Sequence, residues 1–317
     1  LKLFGMSKCM KIIALQLGFF IGFATTGFAQ LPSTGVSSSG VLDGVYVQEH
    51  IPTKRVVQYA HLREADVMWS KRVWRTIDLR EKMNHPLYYP EEAMADRMSL
   101  FDVIRYGVFE EGSLTIYDPT ADFDDKFRFP VKPTNGNIND PAFVKRLEEF
   151  FGTVGQVARL DPETDEYVYD DNGDQIYDSI AEPYTSRDII RYEIKEDWFF
   201  DKQRSVMDVR IIGISPVVYF RNEETGDIMG TKGLFWLYFP ECRYVFQNFF
   251  VYNSSNDAMR MSFDDIFWKR QFSSYIHQET NVFDRTVSEV WDGLDALLES
   301  KRIKEEMFKI EHDLWHL

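Results

Sequence analysis

Two pairs of neighbouring carboxylates, Glu196–Asp197 and Asp264–Asp265, are the residues of this sequence best suited to acid–base chemistry. Two carboxylates on either side of a glycosidic bond can hydrolyse it, one as general acid and the other as base or nucleophile. A chain with 51 Asp and Glu residues among 317 also produces such pairs by chance. An exported, carboxylate-dependent glycan hydrolase or glycan-binding protein therefore stays an alternative function for this chain. The acidic pairs are compatible with this function but do not require it.

The sequence contains only incomplete motifs for metal or cofactor binding. His312 and His316 lie one helical turn apart, a spacing found in zinc sites, but no third ligand is close in the sequence. The stretch Asp170–Asp174 has the composition of a calcium loop, yet aligning its glycine with the sixth loop position places Val168 and Ser179 where carboxylate ligands are needed. The sequence has no G-x-S-x-G, Walker or G-x-G-x-x-G motif. We expect no catalytic residues, no metal and no cofactor.

The first thirty residues have the pattern of an export signal. Three lysines precede an uncharged apolar run, Ile12–Phe23, and small residues lead to a cleavage site between Ala29 and Gln30. The apolar run is too short to span a bilayer. We therefore predict a signal peptide over residues 1–29 and a flexible, Gly- and Ser-rich lead-in over 30–43.

Cysteine content fits an exported chain without a disulfide. Cys9 would leave with the signal peptide, which leaves Cys242 as the one cysteine of the mature chain. Because Cys242 lies in the aromatic run Leu234–Tyr252, we expect a buried, inert thiol.

Composition narrows the function class. Hydrophobic residues make up 44% of the chain, enough for a folded core, and the net charge of −15 argues against nucleic-acid binding because phosphates repel an acidic surface. Aromatic residues reach 15%, a surplus suited to protein–protein contacts. The sequence has no stretch of about 20 apolar residues, so we predict no transmembrane helix.

The elements that would position these residues indicate an α+β fold with a sheet-rich centre. Residues 44–317 are expected to form a single domain. At its N-terminal end, apolar spacing in Glu64–Asn84 predicts a helix with Arg72, Arg75 and Lys82 on a basic face. Serine and aspartate caps predict three further helices, which start after Ser99, Asp140 and Ser262 and run to Phe109, Phe151 and Phe272.

Several β elements are predicted for the centre of the chain. Tyrosine-bearing strands in Glu166–Asp178 flank Asn172-Gly173, a dipeptide that favours a hairpin turn. Alternating residues on both sides of Trp198–Phe200 predict two paired strands with the turn at these aromatic residues. We further expect a turn at Gly230–Gly233, and Leu234–Tyr252 as buried strand.

The C-terminal segment is predicted to be a long amphipathic helix from about Thr286. Its apolar residues follow two stripes, the first ending at Leu298 and the second starting at Ile303, and the spacing slips near Lys301. The helix could pack on its own domain or form an intermolecular coiled coil, and the first interpretation is favoured.

Charge is distributed unevenly along the chain. Lys54–Lys82 holds eight basic and four acidic residues, whereas Asp161–Asp178 holds eight acidic residues and no basic one. Such runs can be solvated faces, or they can form a head-to-tail contact in which Arg72, Arg75 and Lys82 meet an acidic face of the next copy. Trp198, Phe199 and Phe200 are a further candidate interface, although a core position is favoured for them.

Three tryptophan- or phenylalanine-containing stretches carry a family resemblance. They comprise Arg63–Lys82 running on to Pro90, then Tyr192–Lys202 with Val209–Pro216, then Met261–Asp265 with Arg270–Ile276. Together they span most of the mature chain, and they resemble the GldN/PorN family of gliding-motility and type IX secretion proteins. The final helix and the hairpin at Glu166–Asp178 have no counterpart that we can identify in the family.

The resemblance implies a non-catalytic structural component of the periplasm. Members of this family form large rings beneath the outer membrane with a lipoprotein partner, GldK/PorK. The ring couples to the inner-membrane motor pair GldL/GldM and to the translocon of the outer membrane. We therefore expect a homo-oligomeric ring, a GldK/PorK-like lipoprotein as the tether and a GldM/PorM-like motor protein as a further partner, with no membrane insertion and no nucleic acid.

Overall fold

The computed structural model describes residues 55–93, 97–119, 127–133, 136–137, 140–158, 177–221, 227–253, 256 and 259–314. The predicted cleavage site at Ala29 and Gln30, the lead-in and the turn at Asn172-Gly173 lie outside these ranges, as does His316.

The main feature of the described chain is a seven-stranded antiparallel sheet in the order β11-β1-β5-β6-β8-β2, with β7 also paired to β6. Its strands are β1 (Val67–Asp78), β2 (Ile116–Tyr117), β5 (Ile189–Asp201), β6 (Val206–Arg221), β7 (Ile228–Gly233), β8 (Trp236–Tyr238) and β11 (Tyr275–Glu279). Two smaller antiparallel pairs join β3 (Gly152–Ala158) to β4 (Tyr177–Pro183) and β9 (Phe250–Val251) to β10 (Met261–Ser262).

Seven α-helices fall within the described ranges. They are α1 (His85–Tyr88), α2 (Leu100–Phe109), α3 (Pro141–Phe151), α4 (Phe239–Phe246), α5 (Phe263–Trp268), α6 (Val287–Val290) and α7 (Gly293–Leu314). The combination of a large antiparallel sheet with helices, including a long C-terminal one, confirms the α+β prediction.

The predicted helix over Glu64–Asn84 is wrong, because most of this stretch is strand β1. Val67–Asp78 contains two Val, two Trp, an Ile and a Thr, all of which favour a pleated strand. The strand pairs with β5 along nearly its whole length and with β11 on its other side. Apolar residues four apart fit a helix, but they also share one side of a strand, and the two neighbouring strands decide between these outcomes.

The turn predicted at Trp198–Phe200 is also misplaced. These three residues lie inside β5, where they pair with both β1 and β6. The chain turns later, between Asp201 and Val206, and Ser205 there adopts φ 51°. The polar residues of this turn form the tight connection, while the aromatic residues remain in the strand.

Two further predictions in this region need correction. Gly230–Gly233 belongs to strand β7 rather than to a turn. The aromatic run Leu234–Tyr252 is not one strand, because helix α4 lies within it between the short strands β8 and β9. Pro240 at the start of α4 suits the first turn of a helix, because proline has no backbone N–H to donate.

The three helix caps predicted from sequence are confirmed. The Ser99 side chain accepts a hydrogen bond from the Asp102 backbone N–H, and Asp140 accepts one from Ala142 N–H. Ser262 and Asp265 form a reciprocal capping box at α5. Helix α5 ends at Trp268, four residues before the predicted end.

The sheet and helices enclose two apolar clusters. The larger joins β1, β5 and β6 to α2, α4 and α5, and it includes Ile77, Tyr192, Ile194, Leu100, Phe101, Phe239, Phe246, Phe263 and Phe267. The smaller lies under α7, where Ile303 and Met307 contact Val73 and Ile276. The C-terminal helix therefore packs on its own domain through its second stripe, as favoured from the sequence.

Candidate functional site

Strand alternation determines which side chains of β1 and β5 meet. Residues directly opposite each other share a face, so Val73 and Glu196 lie on the same side of the sheet, and Arg72 and Asp197 lie on the other. We call the side of Val73 and Glu196 the inner face, because the two apolar clusters cover it. The side chains of Glu196 and Asp197, neighbours in sequence, therefore lie on opposite faces of the sheet.

Glu196 is the centre of a buried ion cluster on the inner face. It is fully enclosed, and its carboxylate lies 3.1 Å from Arg75 Nε and 2.9 Å from Arg270 Nη1. Trp198 Nε1 donates to Glu196 Oε2 at 3.0 Å. The guanidinium carbons of Arg75 and Arg270 lie 5.8 and 5.3 Å from the Trp198 ring centroid, within cation–π range. Two cations and one indole N–H thus converge on a single carboxylate.

The two arginines reach this carboxylate from different elements. Arg75 comes from β1 and is 4% exposed, so burial lowers its pKa, while Glu196 opposes that shift. Arg270 follows α5 in the left-handed conformation, with φ 53°. This conformation costs an arginine about 1–2 kcal/mol relative to the right-handed region. The turn that ends α5 directs the Arg270 side chain toward the sheet.

The carboxylates that the sequence offers for the alternative glycan chemistry all make structural contacts. Asp197 forms a two-pronged pair with Arg72, at 2.6 and 2.7 Å. Asp264 binds Arg243 at 2.7 Å, and Asp265 caps α5. These contacts join β1 to β5 and α4 to α5 and cap the start of α5.

The predicted interface residues do not form one surface. Arg75 is enclosed on the inner face and is 4% exposed, so it is not on the surface of the described chain, and its role as a contact residue stays untested. The helical spacing that grouped it with Arg72 does not apply to a strand, in which Arg72 lies on the other face. Lys82 is exposed in a short 3₁₀ turn (Lys82–Asn84) after β1.

The three aromatic residues of β5 contribute mainly to packing. Phe199 is 4% exposed, and Trp198 packs against the cluster under α7. Phe200 is partly buried. The structure therefore places them in or beside the core, and the interface role suggested for them stays untested.

Buried Cys242 and partly buried His277 have strongly shifted pKa values. Cys242 is fully enclosed in α4, and burial raises the pKa of its thiol well above the usual range, which agrees with the inert thiol expected from sequence. Burial lowers the pKa of His277 to about 4. Its Nδ1 lies 2.9 Å from the Thr76 hydroxyl. Neither group is aligned with a second reactive side chain in the contacts that the structure gives.

A cavity of about 310 Å³ lies beside α4 and α5, and residues 57–60 form part of its wall. Tyr59 stacks on Trp268 with ring centroids 5.5 Å apart, and the Arg243 guanidinium lies 4.7 Å from both rings. Arg243 also donates to the Val57 carbonyl at 2.8 Å. We call residues 55–63 the strap, since this segment is neither helix nor strand and is held by side-chain contacts.

Sequence reasoning missed the strap contacts. Tyr59, Arg210 and Arg243 are far apart in the chain, and Arg210 contacts both the Tyr59 ring and the Ala60 carbonyl. A short segment that is neither helix nor strand has no periodicity that would reveal where it docks. The aromatic surplus was the one sequence signal, and much of it proves to be core packing and arginine–ring contacts.

A larger cavity, of about 580 Å³, lies between α2, α3 and β4. Its wall carries Asp102, Arg105 and Glu148 beside the aromatic rings of Phe109 and Phe151. Asp102 also accepts a hydrogen bond from the Ser99 hydroxyl at 2.8 Å, so this carboxylate takes part in capping α2.

Within the described ranges, no group of three or more His, Cys, Asp or Glu side chains is arranged to hold a metal ion. The same residues contain no helix that is both long and apolar enough to cross a membrane.

Comparison with known proteins gives the family. A comparison with curated proteins found no match to this chain. A family model described as "Gliding motility associated protein GldN" matches residues 62–316, which covers β1 to α7 and all three stretches noted in the sequence. The chain therefore belongs to the GldN family and is a component of the gliding-motility and type IX secretion machinery.

Proposed function

We propose that this chain is a non-catalytic structural subunit of a periplasmic ring in the type IX secretion and gliding machinery. In this proposal it assembles with further copies of itself and with a GldK/PorK-like lipoprotein of the outer membrane. A GldM/PorM-like motor protein couples the ring to the inner membrane. The observation that carries the proposal is the family match over residues 62–316.

The site geometry supports a structural role. The candidate carboxylates Glu196, Asp197 and Asp264 form ion pairs with arginines that lie elsewhere in the sequence. These ion pairs tie β1, β5, α4 and α5 together, as expected of a subunit that must keep its shape within a large assembly. The export signal predicted over residues 1–29 supports a periplasmic location, with the lipoprotein partner as the tether.

The proposal is tested by gentle detergent extraction of the cell envelope, followed by pull-down on this protein. Mass spectrometry identifies the co-purified proteins, and negative-stain microscopy shows their arrangement. Ring particles that contain an outer-membrane lipoprotein are expected. A lone monomer, under conditions that preserve other envelope complexes, would contradict the proposal and return the acidic pairs to glycan assays.

The basic segment is then tested as a ring contact. Arg63 and Lys82 are exposed, whereas Arg75 is not, so the double reversal Arg63→Glu/Lys82→Glu changes the surface without disturbing the buried cluster. We expect fewer intact rings because like charges would face each other across the contact. Lys309→Glu, an exposed reversal on α7, serves as the control. Intact rings with the double reversal would exclude the basic segment from the contact.

A further inference from the structure

Helix α7 has two apolar stripes on opposite sides. Ile303 and Met307 face the sheet and are 1% and 4% exposed. On the opposite side, Leu294, Leu298 and Phe308 are 70%, 55% and 67% exposed. The apolar spacing slips near Lys301 because Leu294 and Leu298 belong to the exposed stripe and Ile303 belongs to the packed one. The part of the structure that is described leaves the outward stripe uncovered.

This outward stripe is large enough to be a contact surface. Leu297 on the same helix is 56% exposed, and Trp291, two residues before the start of α7, is 46% exposed. With side chains that bury on the order of 100–250 Å² each, the exposed apolar area of the stripe is about 600–700 Å². The largest apolar patch of an ordinary monomer is about 300–600 Å², and each side of a standard protein interface buries about 800 Å². The patch thus approaches the size of one half of a dimer interface.

The two charged residues within the outward stripe indicate that a second copy of the chain could pair with it. Leu294, Leu298, Lys301, Glu305 and Phe308 follow the 4-3-4-3 spacing of a coiled-coil seam. An antiparallel second copy, centred at the level of position 303, sets Lys301 opposite Glu305 and Leu298 opposite Phe308, twice each by symmetry. A parallel second copy sets Lys301 against Lys301 and Glu305 against Glu305. Charge complementarity therefore selects the antiparallel pair.

We propose that the outward stripe of α7 joins two copies of this chain as an antiparallel helix pair about a twofold axis. The contact is isologous and closes on two copies, so it is separate from any head-to-tail contact that closes a ring. Lys301 and Glu305 also lie 3.7 Å apart within one helix, with side chains 71% and 55% exposed. Such an exposed pair contributes little to stability, which leaves both charges accessible to a partner.

The test uses the purified chain alone and measures dimerisation by sedimentation velocity. Lys301→Glu and Glu305→Lys each place like charges at both central positions, and we expect each to raise the dimer Kd about tenfold. In an equimolar mixture of the two variants, every central position again pairs opposite charges. The mixture is therefore expected to form heterodimers with a Kd within about threefold of that of the unchanged chain. Rescue by mixing cannot arise from the contact within one helix.

Two controls keep the result interpretable. Circular dichroism and thermal unfolding report whether each variant is folded, which is expected because both positions are exposed. Leu298→Glu should abolish the dimer, whereas Lys202→Glu, an exposed reversal in the turn between β5 and β6, should leave the Kd unchanged.

Three outcomes would overturn the proposal. The first is an unchanged chain that stays monomeric at about 100 μM, well above the micromolar range of a weak specific dimer. The second is dimerisation that is equal in all variants. The third is a pair of weakened single variants that mixing does not rescue, since this would rule out the antiparallel arrangement. If the chain is monomeric, a protein with a different sequence would be the expected partner of the outward stripe.

Discussion

At the scale of single residues, adjacent carboxylates in β5 have different energetic roles. Glu196 is enclosed with two arginines, whereas the Asp197–Arg72 pair has side chains 31% and 40% exposed. Removing one partner from a buried ion cluster leaves uncompensated charge, but exposed ion pairs contribute about 0–1 kcal/mol. Glu196→Gln should therefore lower the free energy of unfolding by about 3 kcal/mol.

Asp197→Asn is the matched control, because it makes the same chemical change one position away on the other face. We expect it to cost less than about 1 kcal/mol. Urea unfolding of the two variants measures the difference, and equal losses would contradict the assignment of Glu196 as the charged centre of the inner face.

His277 gives the fold a pH dependence whose sign follows from its lowered pKa. The unfolded chain takes up a proton near pH 6.5, but folded His277 does so only near pH 4. Between these values the unfolded state binds more protons, so stability falls as the pH falls. Lowering the pH from 7.5 to 5.0 should cost about 2 kcal/mol through this residue.

His277→Gln removes that titration and keeps a polar group beside Thr76. Urea unfolding at both pH values should show a loss about 2 kcal/mol smaller than in the unchanged chain. If His277→Gln has the same pH dependence as the unchanged chain, His277 does not have a lowered pKa.

At the scale of elements, α7 is stabilised by one stripe only. Ile303→Ala removes buried methyl groups from the cluster with Val73 and Ile276 and should cost about 2–4 kcal/mol. Leu294→Ala is the control on the same helix, where a 70% exposed side chain should change stability by less than about 0.5 kcal/mol. Thermal unfolding at low protein concentration separates this effect from dimerisation. Similar losses would mean that α7 does not pack through Ile303.

At the scale of the whole molecule, the strap connects distant parts of the chain. Tyr59 contacts Trp268 of α5 and Arg243 of α4, which lie about 180–210 residues after it in the sequence. Tyr59→Ala should release residues 55–63 with little effect on the main core. Ring stacking and cation–π contacts each contribute about 1 kcal/mol, so tryptic cleavage after Arg63 should become about tenfold faster.

Phe283→Ala, which removes an exposed aromatic ring outside the strap, provides the comparison for that experiment. Its cleavage rate after Arg63 should match that of the unchanged chain. If Tyr59→Ala cleaves no faster than this control, the strap is held by contacts other than the Tyr59 ring.

The sequence by itself determined those features that depend on neighbouring residues. Ser99, Asp140 and Ser262 cap helices because a cap needs only a side chain within three residues of the N–H groups it satisfies. The family followed from continuous residue strings, and the two stripes of the C-terminal helix followed from their spacing.

Only the tertiary structure decided what depends on partners far along the chain. Val67–Asp78 has a pattern compatible with helix or strand, and pairing with β5 and β11 makes it a strand. That choice placed Arg72 and Arg75 on opposite faces and divided the predicted basic surface. The Glu196 cluster and the strap are equally non-local, because their ion pairs and ring contacts join residues that are brought together only when the sheet and helices pack. Local hydrogen bonding can be inferred from residue order, whereas burial and charge pairing depend on which distant segments meet.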